Sequence, residues 1–255
     1  MNLRRLEEIG LNASGPANPR LFDGWLLGFQ HGKSKRARSV NPFFASTLPL
    51  PMKLEACRRL YDAAGLPCIV RMTPFAQPSE LDDWLITQGY ERFDDTLVMV
   101  RPLQETPPAV DRRRAPRLTE LDLFEWNVET QGVRDLSDDQ VRRLLDRQQL
   151  LGLDGCGLVL AEHGKPIAWG ATLVEDGWAG IYTVETAPLH RRAGHARRIV
   201  TTLLDWAHRK HAAAAYLQVT AENRAAVPLY ESLGFTEAYR YWYRAPPQVI
   251  AHERR

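Results

Sequence analysis

Residues 184–196 read Val-Glu-Thr-Ala-Pro-Leu-His-Arg-Arg-Ala-Gly-His-Ala, and this stretch decides the fold. The apolar, β-favouring residues Ile181, Tyr182 and Val184 lead to Pro188, where a strand has to end. A basic turn holding Arg191, Arg192, Ala193 and Gly194 follows. It opens at His195, Ala196 and Arg197 into a helix whose Ile199, Val200, Leu203, Leu204 and Ala207 share one face, with Arg197, Arg198 and Asp205 off it. Such a turn is an anion site. The first N–H groups of a helix lack intrahelical partners, and the helix dipole concentrates positive charge there. Gly194 lets a ligand approach the backbone, and the guanidinium forks of Arg191 and Arg192 match phosphate geometry.

A second pattern follows. Ala215–Thr220 reads as a strand, and Asn223 is placed to cap a helix carrying Ala226, Leu229, Tyr230 and Leu233 at i, i+3, i+4 and i+7. Gly234-Phe235 closes that helix, and Tyr239–Arg244 alternates aromatic and polar residues as a last strand. Pro228, inside the helical pattern, removes a donor and requires a late start or a kink. Arg191-x-x-Gly194-x-Ala196, followed by Asn223-x-x-Ala226-x-x-Leu229-Tyr230-x-x-x-Gly234-Phe235, resembles the two signatures of the GCN5-related N-acetyltransferase (GNAT) superfamily, in the right order and on the right elements. The resemblance is close over 178–244, diffuse over 117–177 and weak over 22–101.

Composition narrows the alternatives. A chain of 255 residues, 44% hydrophobic and 25% charged, has the balance of a globular protein with room for one large or two small domains, each with a core. A formal net charge of +2 gives no field for nucleic acid, and no apolar run is long enough for a membrane span. Cys57, Cys68 and Cys156 lack metal-type spacing and are too few for a disulfide framework, so no metal is expected and reduced thiols in the cytoplasm are the natural reading.

The proline- and arginine-rich run 103–116 divides the chain. The reading is an N-terminal domain over 1–102, a linker over 103–116, a catalytic domain over 117–245 and a flexible tail over 246–255. In the catalytic domain, Leu118–Gln131 and Ser137–Leu151 read as helices, the second opened by a Ser137-x-x-Gln140 capping box. Gly157–Glu162, Pro166–Glu175 and Trp178–Thr186 form an antiparallel meander, and the signature helix then crosses over to a parallel strand. The N-terminal half repeats the end of this plan: helix Met52–Ala64, strand Pro67–Met72, helix Ser79–Gln88, Gly89-Tyr90 and strand Arg92–Val100. Its helix follows Thr47-Leu-Pro-Leu-Pro51 instead of a basic glycine turn, and Leu85 stands at the position matching Tyr230. The fold class is therefore α/β (α+β): a mixed GNAT-type sheet flanked by helices beside a degenerate GNAT-like half.

What the resemblance implies is transfer of an acetyl group from acetyl-CoA, a cosubstrate, to a primary amine of a small molecule or peptide. It places the diphosphate on Arg191, Arg192, Ala193, Gly194, His195, Ala196 and Arg197, the pantetheine arm on Val184, Glu185 and Thr186, and Asn223 and Tyr230 beside the cofactor. A main-chain N–H near Thr186 is the implied oxyanion donor. Tyr230 is the implied acid for the departing thiolate, and Glu185, or a water chain, the base. Some relatives that acetylate protein lysines carry a base glutamate where this chain has Gly180, which argues against a histone-type mechanism. A non-catalytic acyl-CoA sensor is the alternative, since it too would keep the phosphate turn. The acceptor, the acyl preference and the choice between monomer and homodimer stay open at this level.

Overall fold

A computed structural model describes residues 2–16, 19–32, 34–103 and 116–253, apart from the side chains of 148, 150 and 151. In chain order the elements are α1 (Leu3–Ser14), β1 (Arg20–Phe22), β2 (Trp25–Leu27), β3 (Val40–Asn41), α2 (Leu50–Ala63), β4 (Val70–Met72), α3 (Leu81–Thr87) and β5 (Glu91–Pro102). There follow β6 (Arg117–Leu121), α4 (Leu123–Thr130), α5 (Asp138–Leu151), β7 (Asp154–Glu162), β8 (Lys165–Glu175) and β9 (Trp178–Thr186). The chain ends with α6 (His195–Arg209), β10 (Ala214–Thr220), α7 (Ala226–Ser232), β11 (Thr236–Ala245) and α8 (Pro247–Glu253). They form a mixed α/β protein of two compact units, one of residues 1–98, 220–223 and 238–255, the other of 99–219 and 224–237. No helix among the described residues is long and apolar enough to cross a membrane.

The second unit carries the signature turn. Its strands lie in the order β10-β9-β8-β7-β6, antiparallel from β6 to β9, with β10 parallel to β9. The expected change from antiparallel to parallel pairing is present at the strand that ends in the turn. Ile199, Val200, Leu203, Leu204 and Ala207 of α6 are fully buried, as their spacing requires. Gly170 lets α6 seat closely on the sheet, because a Cβ there would lie 2.7 Å from Ile199 Cγ2. Gly170 pairs with Leu158, whose neighbour Gly157 therefore faces the other side of the sheet. A Cβ on Gly157 would collide with the Trp126 ring, so α4 covers that opposite face.

The first unit has strand order β1-β2-β3-β4-β11-β5. Its core gathers Trp25, Leu27, Val40, Leu54, Tyr61, Val70, Leu81 and Leu85. On another side Glu7 and Arg71 form an ion pair with both side chains 1% exposed. The repeat read from the sequence is present in the element order: α2-β4-α3-β5 matches α6-β10-α7-β11. In both, a left-handed glycine ends the second helix, Gly89 at φ 77° and Gly234 at φ 82°.

Three local expectations change. Residues 117–121, read as the start of a helix, form β6, because pairing of Arg117–Leu121 with Ala161–Gly157 outweighs helix propensity. The helix begins after Asp122, whose carboxylate accepts the Glu125 N–H at 2.8 Å. The segment 246–255, read as a tail, contains α8, where Glu253 accepts from Arg38 Nη1 at 2.9 Å. Residues 238–245, assigned from sequence to the catalytic domain, group with the first unit, since Trp242–Arg244 pair with Met72–Val70. The linker reading falls on residues of which 104–115 lie outside the described residues. The Ser137 capping box is formed, with both hydrogen bonds made, at 2.8 and 3.3 Å.

Candidate active site

β9 positions the candidate site because it breaks its own regularity. Trp169 pairs with Glu185 and Ala171 with Tyr182, so Gly170 alone opposes both Thr183 and Val184. Thr183, at φ +51°, takes up this β-bulge, unusual for a β-branched residue. The parallel ladder to β10 stops at Ile181–Leu217, although β9 runs on to Thr186 and β10 to Thr220. The two strands part there, and the main chain of 183–186 edges the gap. Cross-strand partners share a face, so Glu185 lies on the Trp169 and α4 side. Val184 lies on the α6 side, within 3.3 Å of where a Gly170 Cβ would stand.

Beyond Thr186 a short 3-10 turn, Pro188–His190, leads to residues 191–194, all exposed. Arg192 has φ +63° and Gly194 φ +80°, so the backbone reverses hand twice before α6 starts. At Gly194 a Cβ would meet nothing within 4 Å. The left-handed backbone calls for glycine here, and the space beside it is open. Arg191 Nε donates weakly to Thr186 O at 3.4 Å, which ties the turn to the strand end. Arg192 makes no ion pair or side-chain hydrogen bond among the described residues. The first turn of α6 at His195, Ala196 and Arg197, a left-handed turn and an uncommitted guanidinium together form a cradle suited to a phosphate.

α7 begins late, at Ala226 after an Ala225 cap without side-chain bonding, so Asn223 is not the N-cap expected. It stands in the preceding turn, with its N–H on Thr220 O at 3.0 Å. The cause is Pro228, which fits in a first helical turn, where its N–H is not needed. Asn223 groups with the first unit. Tyr230 is buried, edge-on to Phe235 with ring centroids 6.1 Å apart. Burial pushes its phenol above the ordinary tyrosine value, and its hydroxyl bonds to no protein group among the described residues. Arg197 Nη2 donates to Ser232 Oγ at 2.7 Å, linking the first turn of α6 to the helix that carries Tyr230.

Gly180 is explained by packing. A Cβ there would collide with the Tyr182 ring, whose hydroxyl contacts that of Tyr216, so a side chain at this position would have to displace that ring. Glu185 is exposed, and one residue that the sequence did not single out faces it. Burial lowers the pKa of Arg134, in the turn between α4 and α5, and the Glu185 carboxylate acts against that shift. No local pattern marks Arg134, whose relation to Glu185 exists only in the folded sheet.

A meander that becomes parallel at a bulged strand, which then opens through a glycine turn into a helix, defines an acyltransferase of the GNAT class. The family model described as "Probable histone acetyltransferase Rv0428c C-terminal" matches residues 1–244, and the chain belongs to that family within the GNAT superfamily. The chain is 28% identical to the uncharacterized N-acetyltransferase YobR of Bacillus subtilis over 255 residues, covering 95% of this chain and 98% of that protein. It is 37% identical over 79 residues to the [ribosomal protein bS18]-alanine N-acetyltransferase of Escherichia coli, covering 31% of this chain and 53% of that enzyme. The solved structure of a GCN5-related N-acetyltransferase from Kribbella flavida shares the fold at a TM-score of 0.63 and 16% identity, over 96% of this chain and 94% of that one.

Proposed function

We propose that this acyltransferase moves an acetyl group from acetyl-CoA to a primary amine of a small molecule or peptide. The observation that carries the reading is the parting of β9 from β10 directly before the 191–197 cradle. The gap offers main-chain hydrogen bonds at Val184–Thr186 to an extended amide-bearing arm, and the cradle offers N–H groups and Arg191 and Arg192 to the diphosphate. The E. coli relative's action on an alanine amine is consistent with an amine acceptor.

In this reading a main-chain N–H at the end of β9 donates to the thioester oxygen as charge builds on it. The acceptor ammonium loses one proton to Glu185 or through water to solvent. Its nitrogen bonds to the acyl carbon as the carbon–sulfur bond breaks. Tyr230 O–H gives its proton to the leaving sulfur, and the second proton shed by the nitrogen restores the phenol. Burial suits Tyr230 to this role, because it keeps the phenol protonated at neutral pH.

The first unit binds no CoA in this reading. The α2 helix starts after Pro49 and contains Pro51, so two of the N–H groups a cradle would use do not exist. The Asp23 carboxylate occupies the N–H groups of Leu48 and Thr47, at 3.0 and 3.0–3.1 Å, and these bonds hold its pKa well below the carboxylate range. The test is an amine-library screen with acetyl-CoA that detects released thiol. Turnover with an amine class supports the reading, and tight acetyl-CoA binding without turnover on any amine would refute it.

A further inference from the structure

Arg134 is held too deliberately for a solvated turn residue. Its guanidinium lies over the Trp126 ring, 4.5 Å from the centroid. Nη1 donates to Asn127 Oδ1 at 2.9 Å and Thr130 Oγ1 at 3.2 Å. Those acceptors are fixed in turn: Asn127 Nδ2 donates to Leu123 O and Thr130 Oγ1 to Trp126 O, each at 2.7 Å, and both residues are fully buried. One edge of the fork is thus anchored in α4, while Nη2 and Nε have no hydrogen-bond partner among the described residues. Trp126 packs in one cluster with Trp169, the cross-strand partner of Glu185. The Trp169 Nε1–H is itself buried without an acceptor among the described residues.

An arginine whose task was only to brace the α4–α5 turn would gain most by closing an ion pair with the carboxylate it faces. Among the described residues Arg134 and Glu185 form no pair within 4 Å. They present a cation and an anion on one sheet face, away from α6, Arg134 over the Trp126 ring and Glu185 beside its cross-strand partner Trp169, at the strand end where the acyl group is to be transferred. Resting on the function proposed above, we infer that the acceptor is a free α-amino acid, its carboxylate on the open edge of Arg134 and its amine directed to Glu185. The ligand would complete the charge pairing that the two side chains leave open. A guanidinium suits this position better than an ammonium, because it can give two parallel N–H bonds to one carboxylate.

The test compares alanine, methionine, phenylalanine and glutamate with their carboxamides as acceptors for the intact protein and acetyl-CoA. Each amino acid is expected to exceed its carboxamide in kcat/KM by about 10- to 100-fold, the scale of hydrogen bonds to a charged group. Arg134→Gln should remove that gap by raising KM for the amino acids, leaving carboxamide turnover and acetyl-CoA affinity as in the parent. Arg134→Lys should fall between. Carboxamides accepted as well as amino acids, or equal losses for both series in Arg134→Gln, would overturn the inference and leave the acetyltransferase reading standing. Should Arg134→Gln not fold, the parent's discrimination decides alone, with saturation-transfer NMR of the free amino acids on the CoA-loaded protein as an independent measure. No turnover and no amino-acid binding would overturn the inference and leave the acetyltransferase reading to the amine-library screen.

Discussion

Replacing Gly194 separates charge from shape at the proposed phosphate cradle. Gly194 sits at φ +80°, ψ +5°, and nothing lies within 4 Å of where its Cβ would be, so a new side chain costs backbone strain only. Asn and Asp tolerate the left-handed region better than other residues, and they are nearly the same size. Gly194→Asn and Gly194→Asp should therefore fold alike and differ only in one negative charge. Taking that charge about 5 Å from the diphosphate, with an effective dielectric of roughly 20–80, the repulsion is about 1–3 kcal/mol, or about 5- to 150-fold in affinity. Full exposure of the turn favours the lower half of that range. Calorimetric titration with acetyl-CoA should show Asn near the parent and Asp weakened, the gap narrowing as salt is added. Equal affinities for Asn and Asp in folded protein would refute the site.

Tyr230→Phe should keep the fold and acetyl-CoA affinity and lower kcat by about 10- to 1000-fold. With its pKa raised, the parent should show no alkaline loss from this phenol below a pH of about 10, and a fall in kcat below pH 9 that vanishes in the variant would contradict the assignment. Glu7→Ala strands the fully buried Arg71 guanidinium, which otherwise stacks on Tyr241 at 3.8 Å, and also deprives Tyr239 O–H of its acceptor at 2.6 Å. A loss of about 3–5 kcal/mol is expected in denaturant titration, and a loss under about 1 kcal/mol would show that water reaches the pair. A fragment beginning at Arg114 should not fold, because Trp242–Arg244 lose their β4 partners and Asp82 no longer receives Trp242 Nε1 at 3.0 Å and Arg244 Nε at 2.8 Å. A soluble, cooperatively melting fragment would refute that.

What the sequence revealed and what it hid divide by range. The signature turn, α6, the β7–β9 meander and the Ser137 capping box follow from residues within a turn or two of each other, where periodicity and capping act. β6 escaped because Leu118–Gln131 has helix-compatible spacing, and only a partner strand forty residues later makes its first part extended. The Thr183 bulge carries no local mark, since neither glycine nor asparagine announces the positive φ. It arises where α6 closes on Gly170 and one strand must take up an extra residue. Arg134 was hidden for a related reason: an arginine in a turn looks solvated until α4 is folded beneath it.

The proposed division of labour between the two halves rests on which backbone donors each has left. Both present the order helix, strand, helix, left-handed glycine, strand, so topology alone would allow a cradle in each. In the second unit the turn before α6 has glycine at the left-handed position, two arginines and no proline between residues 189 and 227, so no ring removes a donor from the start of that helix. Prolines 49 and 51 remove two such donors at the start of α2, and Asp23 takes the neighbouring ones. Lys53, at the start of α2, is fully buried against Asp23 and the Trp25 ring, its cationic form disfavoured by burial and supported by Asp23. The positive end of α2 thus meets a carboxylate supplied by its own chain. An added phosphate there would have to displace that carboxylate and leave Lys53 buried without it. For the first unit to bind no CoA, as proposed above, would therefore need no change of fold, only the filling of one helix end from within.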